Sequence, residues 1–208
     1  MYGRVTWYSG PKERMDQGIE DFKALLPKLQ QLPGYVGCAL LVDREAGEAS
    51  TIVYYRDLQT MNESREVVRK MREAEAADTA IKSTRIEEYE ITAMERAQAG
   101  TTGRWGRLIT GTADISYLDE ATALVIQKSV PILKQQPGFR SFVGGANRQN
   151  GAAFTGATFD TREQLEASNA ALADSREEVR RRGNIRDLKA QVFEIVVADV
   201  AATAGARV

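Results

Sequence analysis

Residues 27–35 read PKLQQLPGY, and 104 positions later residues 131–139 read PILKQQPGF, with both prolines, the glycine and the closing aromatic in register. A fixed-period repeat constrains a fold more than any local pattern does, because each copy has to be a structural unit. Sliding the chain by 104 also aligns Arg44 with Arg148, Gly47 with Gly151, Thr51 with Thr155, Ser64 with Ser168 and Glu90-Ile91 with Glu194-Ile195. Of the 66 positions from Leu26 to Ile91, 15 are identical to the residue 104 further on. Average composition would give roughly 4. Upstream, Tyr2-Gly3-Arg4-Val5 matches Trp105-Gly106-Arg107-Leu108 at a shift of 103, so one residue has been gained or lost in the first-helix region. The reading is a tandem duplication. Residues 1–95 form the first repeat, 96–103 a linker rich in small residues, 104–200 the second repeat and 201–208 a C-terminal tail.

Each copy reads the same way. Residues 4–8 and 107–110 are short β-prone segments. Met15, Ile19, Phe22, Leu25, Leu26, Leu29 and Leu32 recur at helical spacing until Pro33-Gly34 stops them, and Pro27 is expected to bend that helix. Residues 35–42 and 49–55 read as strands around a Gly47 turn. Asp57 is placed to cap a second helix, and Thr161-Arg-Glu-Gln164 has capping-box spacing for its counterpart. Tyr89, Ile91 and Ala93, like Phe193, Ile195 and Val197, alternate as half-buried strands do. The predicted fold class is α+β: two ferredoxin-like β-α-β-β-α-β repeats. Four strands with helices on one side leave the other face open. A tandem copy would cover it, giving an intrachain pseudo-dimeric α+β barrel to which further homo-oligomerisation could be added.

Composition removes several function classes. The 28 Lys+Arg and 29 Asp+Glu leave a net charge of −1, with no basic field to draw nucleic acid or an anionic membrane. No segment approaches the roughly 20 apolar residues of a membrane span. The one cysteine, Cys38, cannot close an internal disulfide, which fits a reducing cytoplasm. The chain has no histidine, which removes the commonest general base and the commonest zinc and haem ligand. The expectation is no metal and no cofactor.

The pattern of amphipathic helix, PGY or PGF, strand pair, aromatic and then a D-x-x-x-x-L helix resembles the antibiotic biosynthesis monooxygenase domains of the dimeric α+β barrel superfamily. FDTREQLEAS at 159–168 carries the likeness best, with YRDLQTMNES at 55–64 as its first-copy counterpart. Many members carry Trp where this chain has Tyr55 and Phe159, and His where it has Ser64 and Ser168. That His holds the iron in the haem-degrading members, so the resemblance without it implies no haem of that kind. Cofactor-free members let a deprotonated phenolic substrate reduce dioxygen directly. The protein then needs an apolar cavity, an aromatic wall and a group that stabilises charge.

The resemblance places the candidates at the corner between the third strand and the second helix. Arg65, Asn62 and Tyr55 are the candidate catalytic residues, with Arg65 stabilising an oxyanion. Trp7, Tyr54, Ser64, Phe159, Ser168 and Asn169 are the candidate ligand-binding residues, and the partner is a small aromatic molecule. Plainer readings compete. Trp7 and Trp105 also suit a core, Arg65 a solvated ion-pairing helix face, and Asn62 an exposed first helical turn. The first copy, richer in tyrosine and arginine at this corner, is expected to hold the working pocket. The alternative function is a non-catalytic binding or assembly protein that retains the fold.

Overall fold

The computed structural model describes residues 1–97 and 102–200. The first half runs β1 (Tyr2–Ser9), α1 (Met15–Leu29), β2 (Tyr35–Asp43), β3 (Glu48–Tyr55), α2 (Leu58–Glu63), α3 (Arg65–Thr79) and β4 (Lys82–Arg96). The second runs β5 (Trp105–Thr112), α4 (Leu118–Leu124), a π-helical turn (Val125–Ser129), α5 (Val130–Lys134), β6 (Phe139–Ala146), β7 (Ala152–Phe159), α6 (Arg162–Arg182) and β8 (Arg186–Val200). By hydrogen-bonded neighbour the strands follow β1-β3-β2-β8-β5-β7-β6-β4 and close on β1, the strand order of a barrel. The class is mixed α+β, as expected.

The recurring PGY and PGF have a local cause. Gly34 and Gly138 sit at φ of +69° and +73°, where a β-carbon would also strike Thr60 and Gln164. Each lets the chain reverse out of a helix straight into a strand. Asp57 caps α2 by accepting from the Thr60 amide at 2.8 Å. Thr161 and Gln164 form the expected capping box at the head of α6. Pro27 is accommodated within one continuous α1, whereas Pro131 falls at the start of α5, directly after the π-helical turn. Trp105 opens β5 instead of preceding it.

The chain divides into two compact units, but not at the linker. The first is Met1–Glu88 with residues 194–200, and the second is Tyr89–Phe193. The reason lies in the two 15-residue strands. The C-terminal half of β8 pairs with β2 from Gly37 to Val42, and the C-terminal half of β4 pairs with β6 from Ser141 to Ala146. The expected boundary at 95/96 cuts β4 one residue before its end, and half of the linker (98–101) and the whole tail lie outside the described residues. In the first unit Met15, Ile19, Phe22, Leu40, Val42, Val53 and Tyr55 pack into one core between helices and sheet. In the second the matching core holds Val130, Leu133, Phe139, Phe142, Phe159, Leu165 and Leu172.

Candidate functional site

The second unit contains a cavity of about 150 Å³ between its helices and its sheet, with walls that include Ile109, Phe142, Gly144, Ala157, Val125 and Leu172. The first unit has only about 20 Å³ at the same level, lined by Tyr8, Phe22, Leu40 and Val42. The two linings can be read against each other through the 103/104 register. Tyr8 is replaced by Gly111 and Leu40 by Gly144, both on the second cavity's wall, and Val42 and Val53 are replaced by Ala146 and Ala157. The π-helical turn adds to these losses of side-chain volume. It lies where the register changes from 103 to 104, so it houses the extra residue. Helices take up one added residue as a π-turn, and such turns recur at functional sites. Here Val125, Ile126 and Ser129 of that turn line the cavity.

Three arginines, Arg107, Arg176 and Arg180, stand in the wall of this apolar cavity, and the first two share one acceptor. Arg107, in the middle of β5, is only 4% exposed. It donates to the Leu165 carbonyl at 3.2 Å, to Ser168 Oγ at 3.2 Å and to Asn169 Oδ1. Arg176, one face along α6, donates to the same Asn169 oxygen at 3.0 Å. No carboxylate pairs with either arginine among the described residues. Burial, and then the neighbouring charge of Arg176, lower the Arg107 pKa to about 10. Burial likewise lowers that of Arg176.

The first unit treats the equivalent arginine differently. Arg4, 3% exposed, donates from Nε and Nη2 to Glu88 Oε1 at 3.0 and 2.9 Å, to Ser64 Oγ at 3.0 Å and to the Met61 carbonyl at 2.7 Å. Arg65 takes the other oxygen of Glu88. The positions 104 further on, in the second unit, hold Val192 in place of Glu88 and Asn169 in place of Arg65.

The residues expected from sequence are distributed unevenly around these features. Arg65 is 61% exposed and ion-paired to Glu88, so it lies on the solvated helix face. Asn62 is exposed on α2. Tyr55 is fully buried in the first unit's core, with its hydroxyl unpartnered, and burial raises its pKa. Tyr54 is buried on the opposite face of β3, and Trp7 is buried on the neighbouring β1, its ring 3.6 Å from the Arg85 guanidinium. None of these five lines either of the two cavities described above. The first-unit space is narrowed by Tyr8, Phe22 and Leu40, and the roomier of these two cavities is in the second unit. Phe159 is a core residue against Phe139, with rings 5.9 Å apart. Ser64 and Ser168 are each 1% exposed and donate to the carbonyls of Met61 and Leu165 while accepting from Arg4 and Arg107. Their hydroxyls are thus committed, and they offer no ligand for a haem iron. Of the expected set, Ser168 and Asn169 are gathered at the cavity, through Arg107. Arg107 and Arg176 were missed. The available signal was their identity with Arg4 and Arg72 in the repeat, combined with the loss of Glu88's counterpart.

No family model matches the chain. It is 29% identical over 180 residues to an uncharacterised protein of Mycobacterium tuberculosis, Rv2557, over 84% of this chain and 80% of that one. Among solved structures it is similar to an anthrone oxidase-like protein, with a TM-score of 0.71 at 14% identity over 100% of this chain and 94% of the other. It is also similar to a candidate monooxygenase from Lactobacillus acidophilus NCFM, with a TM-score of 0.66 at 10% identity over 96% and 95%. At these identities the likeness is one of fold.

Proposed function

We propose that this chain is a cofactor-independent oxygenase of phenolic or polycyclic aromatic molecules, working in the second unit's cavity. The observation that carries the reading is the cavity itself: about 150 Å³, walled by apolar side chains, with a buried cation in its wall. Such a site suits a flat aromatic in its deprotonated form. The ionised ring is electron-rich enough to reduce dioxygen, and a nearby guanidinium stabilises the anion in a dry setting. For an anthrone, the ring CH2 becomes a carbonyl. One atom of O2 stays on carbon, and the other leaves with the two hydrogens as water. The named functions of the two structural neighbours agree with this chemistry. In this reading the halves are copies of one ferredoxin-like ancestor, the second having kept an open site and the first serving as scaffold, in a cytoplasmic protein without metal or prosthetic group.

One observation favours a second reading, a binding protein without turnover. The titratable groups lining the cavity are Arg107, Arg176 and Arg180, all cations, so no general base stands there. A substrate must arrive ionised or lose its proton to water. The test is oxygen consumption with a panel of anthrones and hydroquinones, alongside ligand-induced thermal shift, on the wild type and Gly144→Leu. A β-carbon at Gly144 meets nothing nearer than Phe142 at 3.4 Å, so the variant restores the first unit's leucine and fills the cavity without disrupting the strand. Gly144→Leu is expected to abolish both signals. Thermal shift without oxygen uptake in the wild type would establish the binding reading, and undiminished turnover in Gly144→Leu would remove the cavity from the mechanism.

A further inference from the structure

We infer that the second unit's cavity is built for an aromatic carboxylate, held by its anionic group between Arg107 and Arg176. The inference rests on this cavity being the ligand site, and it names what the ligand must carry. Three observations combine. First, both guanidinium groups donate to one neutral oxygen, Asn169 Oδ1, so two full positive charges converge on a single amide dipole. A neutral carbonyl cannot neutralise either. Second, the fold shows what completes such a site. In the first unit the equivalent arginine is met by the Glu88 carboxylate, gripped through both Nε and Nη2. In the second unit Val192 occupies that position and packs against the core cluster whose Leu133, Phe142, Ala157 and Leu172 line the cavity. The group missing beside Arg107 is a carboxylate, and Arg107 itself stands in the cavity wall. Third, the rest of the wall is apolar, and Ile126 and Leu188, 41% and 48% exposed, carry that character outward. A molecule with one charged end and a flat hydrocarbon body satisfies all three. Arginine is the side chain suited to this task, because its planar fork matches a carboxylate in two parallel hydrogen bonds. Asn169 is then a positioning residue: it holds the two forks toward one point without cancelling either charge.

The experiment uses the full-length protein with benzoate, 2-naphthoate and 2-anthracenecarboxylate, each paired with its neutral carboxamide. Binding is read by calorimetry and by thermal shift, independently of any turnover. At least one acid is expected to bind tenfold or more tightly than its amide, the ratio that a charge-assisted hydrogen bond supplies. Val192→Glu copies the first unit and Asn169→Asp places a carboxylate between the arginines. Both should lower acid binding at least tenfold while melting at or above the wild-type temperature. If Val192→Glu fails to fold, Asn169→Asp alone decides, since it changes one atom at a helix surface. Lys23→Ala, at an exposed position of the first unit, should leave acid binding unchanged. Equal binding of acids and amides would overturn the inference while leaving a neutral-ligand cavity standing. Unchanged acid binding in Asn169→Asp would also overturn it. Failure of every acid and amide to bind would overturn both this inference and the cavity as a ligand site.

Discussion

Arg4 and Arg107 stand at the same place in β1 and β5, each almost wholly removed from water, yet the two are in opposite electrostatic situations. Arg4 belongs to a compensated pair, since Glu88 neutralises it and Ser64 and Met61 complete its hydrogen bonds. Arg107 has only neutral acceptors and a second arginine nearby. Removing one partner of a buried ion pair strands the other, whereas replacing an uncompensated buried charge relieves a desolvation cost. Arg4→Met is therefore expected to destabilise the protein by about 2–3 kcal/mol, toward the low side because Arg65 and water still reach Glu88. Arg107→Met should cost under about 1 kcal/mol or stabilise, while losing acid binding. Chemical denaturation of the two variants checks this, and equal losses would show that the arginines play the same structural role. The sign of the pH linkage agrees. A cation whose folded pKa lies below its unfolded value destabilises the fold wherever it stays charged, and for Arg107 that covers all pH below about 10.

At the level of elements, much of the fold is legible in sequence because local rules act there. A glycine after a proline marks a helix stop at positive φ, and the Thr-x-x-Gln spacing marks a helix start that the structure realises as a capping box. The change of register from 103 to 104 was legible as one extra residue, but its form was not. A π-turn is a hydrogen-bonding choice made by the packed helix, and no residue type in VIQKS announces it. The site was less legible for a related reason. Whether a buried arginine is neutralised depends on a residue about 85 positions away in sequence, Glu88 in one half and Val192 in the other. Tyr54 and Tyr55 are consecutive on β3, so their side chains point to opposite faces of the sheet. The π-turn itself can be tested. Deleting Gln127, an exposed residue within it, should restore continuous α geometry from Leu118 to Lys134 and shrink the cavity. The variant is expected to gain about 0.5–2 kcal/mol in stability, the usual return for filling a cavity, and to lose 2-naphthoate binding. A deletion variant that still binds the acid would show that the turn plays no part in opening the site.

At the scale of the whole chain, the two long strands decide what can be separated. Because β8 continues past Phe193 into the first unit, β2 has β3 on one side and the end of β8 on the other. That last segment also supplies Glu194 to Arg44 and Asp199 to Tyr35, the latter at 2.8 Å. A chain ending at Ala97 would keep every helix of the first unit and lose this strand. The backbone groups of Gly37–Val42 would then form an open edge, flanked by Cys38, Leu40, Leu41 and Val42, all buried in the intact protein. A flat apolar edge with unpaired N–H and C=O groups recruits other strands. The fragment is therefore expected to aggregate or self-associate, as followed by size-exclusion chromatography with light scattering. Adding a synthetic peptide of residues 186–200 should shift it toward a discrete, soluble complex by restoring the ladder on β2. A fragment that stays a folded monomer without the peptide would show that the closing strand is dispensable, and that the first unit's fold is complete in its own half of the chain.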